Sequence, residues 1–221
     1  MSSEPTPPST SREPLNRDRV LDTALGMVDA EGLDALSMRK LGQALGVEAM
    51  SLYNHVANKD DLISGIVDRV AAEFALPDPA GHWREELGRA ATSAHEALRT
   101  HPWAGFLMMT PDHVGPHRLG FMDAILAVLA SSGASAEMVH YAFHALDAHI
   151  VGTSLRDVSY TIAPEDEAET ARAFVATLPP GRYPHLIDHI EWHAVAGEAE
   201  YTEFEFGLKL ILDAVERDLG A

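Results

Sequence analysis

Apolar positions recur along this chain at intervals of three and four, and no alternating apolar–polar run lasts long enough to build a sheet. The period predicts a helix over about 16–31, with Val20, Leu21, Ala24, Leu25 and Val28 on one face and Gly32 as its C-terminal stop. Leu33, Leu36 and Met38 bracket Ser37, which is placed to cap a second helix running through Leu45. Gly46 makes a turn, and a short third helix covers about Ala49 to Val56. Asn58 is placed to cap a fourth, which starts near Lys59 and carries the stripe Leu62, Ile63, Ile66, Val67 and Val70. Pro77-Asp78-Pro79 closes this unit.

Further helices are expected over Trp83 to Thr100, between Pro102 and Pro111, and over Pro116 to Ser132 with Gly133 as the stop. Ser135 to Val158 follows, then Pro164 to Leu178, whose first turn of Glu165, Asp166 and Glu167 suits the helix dipole. A short helix after Pro184 and a last one over Tyr201 to Leu219 complete the chain, and no segment repeats at a fixed period. The expected fold class is all-α. A flexible arm over 1–14, rich in Ser, Pro and Thr, leads to a small head over 15–76 and a larger helical body over 77–221.

The run LSMRKLGQALGVEAMSLYNHV, Leu36 to Val56, carries the chemistry of the head. Leu41, Leu45, Val47, Leu52 and Val56 fall where two steeply crossed helices touch, and a glycine between them admits a positive φ. The third helix is left with a free face of Ala49, Met50, Ser51, Tyr53, Asn54 and His55. A DNA major groove accepts one helix presenting such side chains, and Lys59 at the start of the next helix is placed for a phosphate. The pattern therefore points to double-stranded DNA as a partner.

The spaced residues Leu45-Gly46-Val47, Ser51-Leu52-Tyr53, His55-Val56 and Asn58-Lys59, followed by Asp61-Leu62, resemble the head of the tetracycline-repressor (TetR) family over about Leu15 to Phe74. That resemblance implies an all-helical homodimer with an N-terminal three-helix helix-turn-helix head and a C-terminal ligand-binding and dimerisation body. It implies that Ser51, Tyr53 and His55 contact phosphates or base edges and that Ala49, Met50 and Asn54 stand at reading positions. Arg39 would reach in from the second helix, and Lys59 would grip phosphate. Ala49 and Met50 offer the bases nothing better than contact with thymine methyl groups, which leaves Arg39 and Asn54 with more of the discrimination.

Charge does not announce this function. The 221 residues carry a net charge of −18, with 7 Lys/Arg against 12 Asp/Glu in residues 1–76 and 9 against 22 in residues 77–221. Such a chain repels nucleic acid as a whole, so binding rests on local sign. Between Ser37 and Lys59 the balance is +2, from Arg39, Lys40 and Lys59 against Glu48. The composition, 46% hydrophobic and 23% charged, is that of an ordinary globular protein. No apolar run spans a bilayer, no secretion signal is legible and there is no cysteine, so a cytoplasmic protein without thiol chemistry is expected.

The body resembles the family less closely, through Tyr183-Pro184-His185-Leu186 and the closing run from Phe204 to Asp213. The resemblance implies a four-helix bundle between subunits, built from about Ser135 to Val158 and Tyr201 to Leu219. The face Phe204, Leu208, Ile211, Leu212 and Val215 is expected to bury against the partner. An aromatic and Met-rich set supplies candidates for a small-molecule effector site: Trp103, Phe106, Leu107, Met109, Phe121, Phe143 and Trp192, with His144 and His149 as polar groups. The same residues also suit an ordinary core. Tetracycline repressors hold a magnesium–drug complex through a His and a Glu; aligned without gaps, Leu107 and Arg156 stand there, so neither tetracycline nor a metal-bound effector is expected, no cofactor is called for, and the aromatic set favours a largely apolar ligand. Histidines four apart occur at His113/His117, His140/His144 and His185/His189/His193, spacings that suit metal ligands but equally a His-rich surface; the second reading is taken. No nucleophile elbow, phosphate loop, dinucleotide fingerprint or His-Glu-x-x-His motif argues for an enzyme. The reading is a ligand-responsive repressor acting on a palindromic operator, with a DNA-binding regulator lacking an effector as the alternative.

Overall fold

The computed structural model describes residues 14–159, 167–195 and 201–220, and these hold eleven α-helices and no strand. In the head, α1 (Arg17–Glu31) leads through a 3₁₀ turn (Leu33–Ala35) to α2 (Met38–Leu45), α3 (Ala49–Leu52) and α4 (Lys59–Ala71). The body follows with α5 (Trp83–Thr100), α6 (Pro102–Met108), a 3₁₀ turn (Pro111–His113), α7 (Pro116–Ser131), α8 (Ala136–Ser159), α9 (Glu167–Thr177), α10 (Pro184–Val195) and α11 (Glu203–Leu219). No helix is long and apolar enough to cross a membrane among the described residues.

The helix starts are set by residues that satisfy the first free amides. Asn16 accepts from the Arg19 amide, Ser37 from that of Lys40 and Asn58 from that of Asp61. Thr202 and Glu205 close a reciprocal capping box on α11, two residues later than the helix start expected from the pattern. Pro102 and Pro116 open α6 and α7, where the missing amide costs nothing. Pro164, Glu165 and Asp166, expected to open α9, lie outside the described residues.

Two apolar cores meet on one helix. Val20, Leu21, Ala24 and Val28 of α1 pack with Leu36, Leu41, Leu45, Leu52 and Val56, and with Leu62 and Ile66 of α4. From the next residue on, Val67, Val70 and Ala71 of α4, and Phe74 just beyond it, belong to the body core instead. In the body α8 is the central post, packed against α5, α6, α7 and α11, while α9 packs on α10.

One expectation is corrected here. Phe204, Leu208, Leu212 and Val215 of α11 are buried within their own subunit against α8 and α5, with Ile211 half-buried beside them. A wide apolar stripe has the same period whether it meets its own body or a second chain, and here its own body takes it. Phe204 stacks nearly parallel to two imidazoles, His95 at a centroid distance of 3.9 Å and His149 at 5.3 Å. The exposed apolar groups of α11 are instead Phe206 and Leu210, one turn apart on another face.

Candidate nucleic-acid interface

The geometry of the head follows from a close approach and a left-handed residue. Gly46 takes φ 70° and ψ 34°, and its amide and that of Val47 return to the Gln43 and Gly42 carbonyls, which ends α2 sharply. Gly42 lies under the crossing of α2 and α3. A β-carbon there would stand 2.9 Å from the Val47 carbonyl oxygen and 3.2 Å from the Ala49 nitrogen. The two helices touch backbone to backbone at this point, which fixes the angle at which α3 is presented.

The third helix is shorter than the pattern suggests. α3 ends at Leu52, and Tyr53, Asn54 and His55 form a tightened turn in which the His55 amide bonds to Leu52 one residue early, at 2.9 Å. Leu52 and Val56 anchor its inner side, 0% and 2% exposed. The outer side carries the expected residues: Met50, Tyr53 and Asn54 are exposed, and Ala49, Ser51 and His55 are half-buried. Met50, at 74% exposure, is the most prominent large apolar side chain of the head and has no packing role that would explain its position.

This turn is held from behind by a network the sequence does not display. The Arg17 guanidinium donates from Nη1 to the His55 carbonyl (2.7 Å) and from both terminal nitrogens to Asp61 (2.8 and 3.0 Å). Asp61 also accepts from the Ala57 amide at 2.8 Å. Four points on α1, α4 and the end of the reading segment are thus tied through one bidentate pair. The hydrogen bond from Arg17 holds the Asp61 carboxyl below its ordinary range, and Asp61 holds the Arg17 guanidinium above its own. Arg17 and Asp61 stand 44 residues apart, so only the tertiary structure reveals the pair.

Among the expected phosphate and base contacts, Arg39 and Lys59 are exposed and, among the described residues, have no ion-pair partner. Lys40 differs, because its ammonium lies 3.1 Å from Glu31. The unpaired positive charge between Ser37 and Lys59 therefore comes down to Arg39 and Lys59, opposed by Glu48.

The effector candidates do not converge on one enclosed site. Phe121 and Phe143 are buried, and with Met122, Ile125, Leu146, Asp147 and Ile150 they line a cavity of about 10 Å³ between α7 and α8. His149 lines a separate cleft of about 330 Å³ with Ala148, Gly152, Thr153, Arg156 and Glu203. Leu107 packs on the body core, and the Trp103 indole donates to Asp29 of α1 at 2.8 Å. Phe106, Met109 and Trp192 are 66%, 65% and 62% exposed, and His144 is exposed next to His140 with ring centroids 4.6 Å apart. No cluster of three His or carboxylate side chains could hold a metal among the described residues.

Residues 20–66 match the family model for bacterial regulatory proteins of the tetR family, and residues 76–219 match that for the tetracyclin repressor-like C-terminal domain. A head with an exposed reading segment on an all-helical body is the architecture of that family, and the chain belongs to it: a DNA-binding transcriptional regulator and not an enzyme. Among its relatives, the HTH-type transcriptional repressor DrrR1 of Streptomyces coeruleorubidus is 31% identical over 220 residues, 95% of this chain and 80% of the relative. The class E tetracycline repressor protein of Escherichia coli is 30% identical over 150 residues, 65% of this chain and 69% of that one. ActR of Streptomyces coelicolor, solved in complex with (S)-DNPA, superposes with a TM-score of 0.77 at 30% identity, covering 95% of this chain and all of that one.

Proposed function

We propose that this regulator is a homodimeric repressor that reads a palindromic operator with two copies of α3 and leaves it when a largely apolar small molecule enters the body. The observation that carries the reading is the head itself: an outward segment from Ala49 to His55, braced by Leu52 and Val56 and by the Arg17–Asp61 pair, beside an exposed Arg39 and Lys59. With so few cations on the binding side, one head grips weakly, and two heads on successive major grooves are needed for a stable complex.

Dimerisation through α8 and α11 is supported by an unpartnered face. Tyr141, Phe206 and Leu210 are 60%, 54% and 52% exposed, flanked by exposed His144, Ala145 and Ala148. That apolar surface lies on the two helices expected to pair, on a face of α11 other than the Phe204–Val215 stripe. A small-molecule effector is supported by the ligand-bound structures of ActR, and its apolar character by the mainly apolar lining between α7 and α8, where Asp147 is the single charged group. At about 10 Å³ this cavity holds at most one water, so an effector there would have to part α7 from α8. A repressor of this kind acts in the cytoplasm, on bacterial DNA.

The test is a fluorescence-anisotropy titration of the protein against the DNA upstream of its own gene, repeated over a salt series and in the presence of actinorhodin as the first probe. Sequence-specific, salt-sensitive binding is expected. Binding no tighter than to an unrelated duplex would overturn the assignment of the operator, and a probe that never releases the complex would remove actinorhodin as effector.

A further inference from the structure

The head meets the body along a seam of side-chain contacts in which the body contributes histidines. Ser64 and Asp68 stand one turn apart on α4. The Ser64 hydroxyl lies 2.8 Å from His113 Nδ1, and Asp68 Oδ2 lies 2.8 Å from His117 Nδ1. A third contact joins α1 to the body, where Asp29 lies 2.8 Å from His101 Nδ1 as well as from the Trp103 indole. The pair His113/His117, four apart in sequence, does not share one helix face as its spacing suggests. Val114 and Gly115 separate the 3₁₀ turn from α7, yet both rings reach the same side of α4.

Asp68 is the center of the seam. Its side chain is buried, and Oδ1 accepts from the amides of His117 and Arg118 at 2.9 and 3.1 Å. A carboxylate from the helix below thus occupies the N-terminal end of α7, satisfying amides that α7 has no partner for and meeting the positive end of its dipole. The fit is close: a β-carbon on Gly115 would stand 2.2 Å from Asp68 Cγ. The next residue of α7, Arg118, is itself buried and ion-paired with Asp147 of α8. The head helix is therefore fastened to α7, and α7 to the helix proposed to form the subunit interface.

We propose that Asp68 is a positioning residue for operator recognition: by fixing α4 against α7 it sets how the two heads of a dimer are held apart, and so which half-site spacing the protein accepts. This rests on the dimeric, palindrome-reading function proposed above. A bidentate side chain seated on a helix end resists both sliding and rotation of α4, whereas apolar contacts alone resist neither strongly. Half-site spacing is a geometric property of the two heads, and loosening this joint widens the range of separations they sample.

The test compares binding to a set of palindromes that differ only in spacer length, for the wild-type protein and for Asp68→Ala, Asp68→Asn and His117→Ala. Asp68→Ala should flatten the preference for the best spacer over its neighbours by about fivefold or more. Asp68→Asn keeps one oxygen for the two amides and should keep the wild-type profile. His117→Ala removes a side chain that is 56% exposed and leaves the core intact, so it reports on the joint even where Asp68→Ala does not fold; a partial flattening is expected. Because the chain has no cysteine, a single Ala44→Cys on the outer side of α2 allows one spin label per subunit. The head-to-head distance distribution should broaden in Asp68→Ala and not in Asp68→Asn. An unchanged spacer profile, or a loss of affinity equal at every spacing, would overturn the proposal and leave Asp68 a purely structural residue. A wild-type protein that sediments as a monomer on DNA would defeat the dimeric reading itself, and that result appears before any variant is made.

Discussion

Replacing Gly42 by alanine sets two effects of known size against each other. In an open helix position the change from Gly to Ala is favourable by about 0.8–1 kcal/mol, because the glycine loses more backbone freedom on folding. Gly26 provides that situation in α1, exposed and with nothing within 4 Å of an added β-carbon, so Gly26→Ala should stabilise by about this amount. Gly42 is also helical, but its β-carbon would meet backbone atoms at 2.9, 3.2 and 3.3 Å, and none of these can swing aside as a side-chain tip can. Overpacking of this kind costs about 1–3 kcal/mol, so the sum is a net loss of up to about 2 kcal/mol. In a chain of this size each kcal/mol moves Tm by roughly 2–4 °C, so the two variants should shift in opposite directions. Relief comes from moving α3 away from α2, so Gly42→Ala should also bind operator more weakly than its stability loss explains, with Gly26→Ala unchanged. Urea denaturation and an anisotropy titration on both proteins measure the two quantities. A Gly42→Ala protein as stable as Gly26→Ala, with unaltered operator affinity, would refute the claim that this contact sets the pose of the reading segment.

Three further outcomes follow from the structure. The Asp61 carboxyl is held below its ordinary range by Arg17, so its stabilising contribution is present above about pH 4 and is lost as pH falls through its lowered folded value. Acid unfolding of the head should therefore begin at higher pH in Asp61→Asn, which should also cost on the order of 1 kcal/mol at pH 7, both measurable by circular dichroism. Lys59→Ala should weaken binding to all operator sequences alike and reduce the slope of log affinity against log salt by about 0.9 per subunit, whereas Asn54→Ala should relax sequence preference and leave that slope unchanged. Phe204→Ala removes the buried ring stacked with His95 and His149 and should destabilise the body by about 3–5 kcal/mol in urea denaturation.

Much of this molecule is legible in one dimension because its signals are local. Asn16, Ser37 and Asn58 cap the helices they precede, Gly46 takes the left-handed conformation its turn requires, and α5 begins at Trp83 and ends at Thr100 where the pattern places it. Each depends on residues within a few positions. The outward residues of the reading segment are likewise visible, because buried Leu52 and Val56 leave the opposite side free. What stays hidden depends on distant partners. The Arg17–Asp61 pair, the seat of Asp68 on α7 and the stack around Phe204 all join residues that no window spans. The α11 stripe misled for a related reason: periodicity states that a face is buried and is silent on which surface buries it. Gly42 carried a weak signal, a glycine inside a helix, which marks either a flaw or a close approach.

The division of α4 between two cores has a consequence for how such proteins can be rebuilt. Leu62 and Ile66 belong to the head, while Val67, Val70 and Ala71, with Phe74, belong to the body. A fragment cut at the proline-rich linker would carry the body's share of this helix into water, and a body cut there would lack a wall. The head is therefore not an exchangeable cartridge. A chimera that grafts this operator preference onto another sensor must splice inside α4, between Ile66 and Val67, and the body it receives must offer its own α4 side chain and helix end in place of Asp68 and the α7 amides.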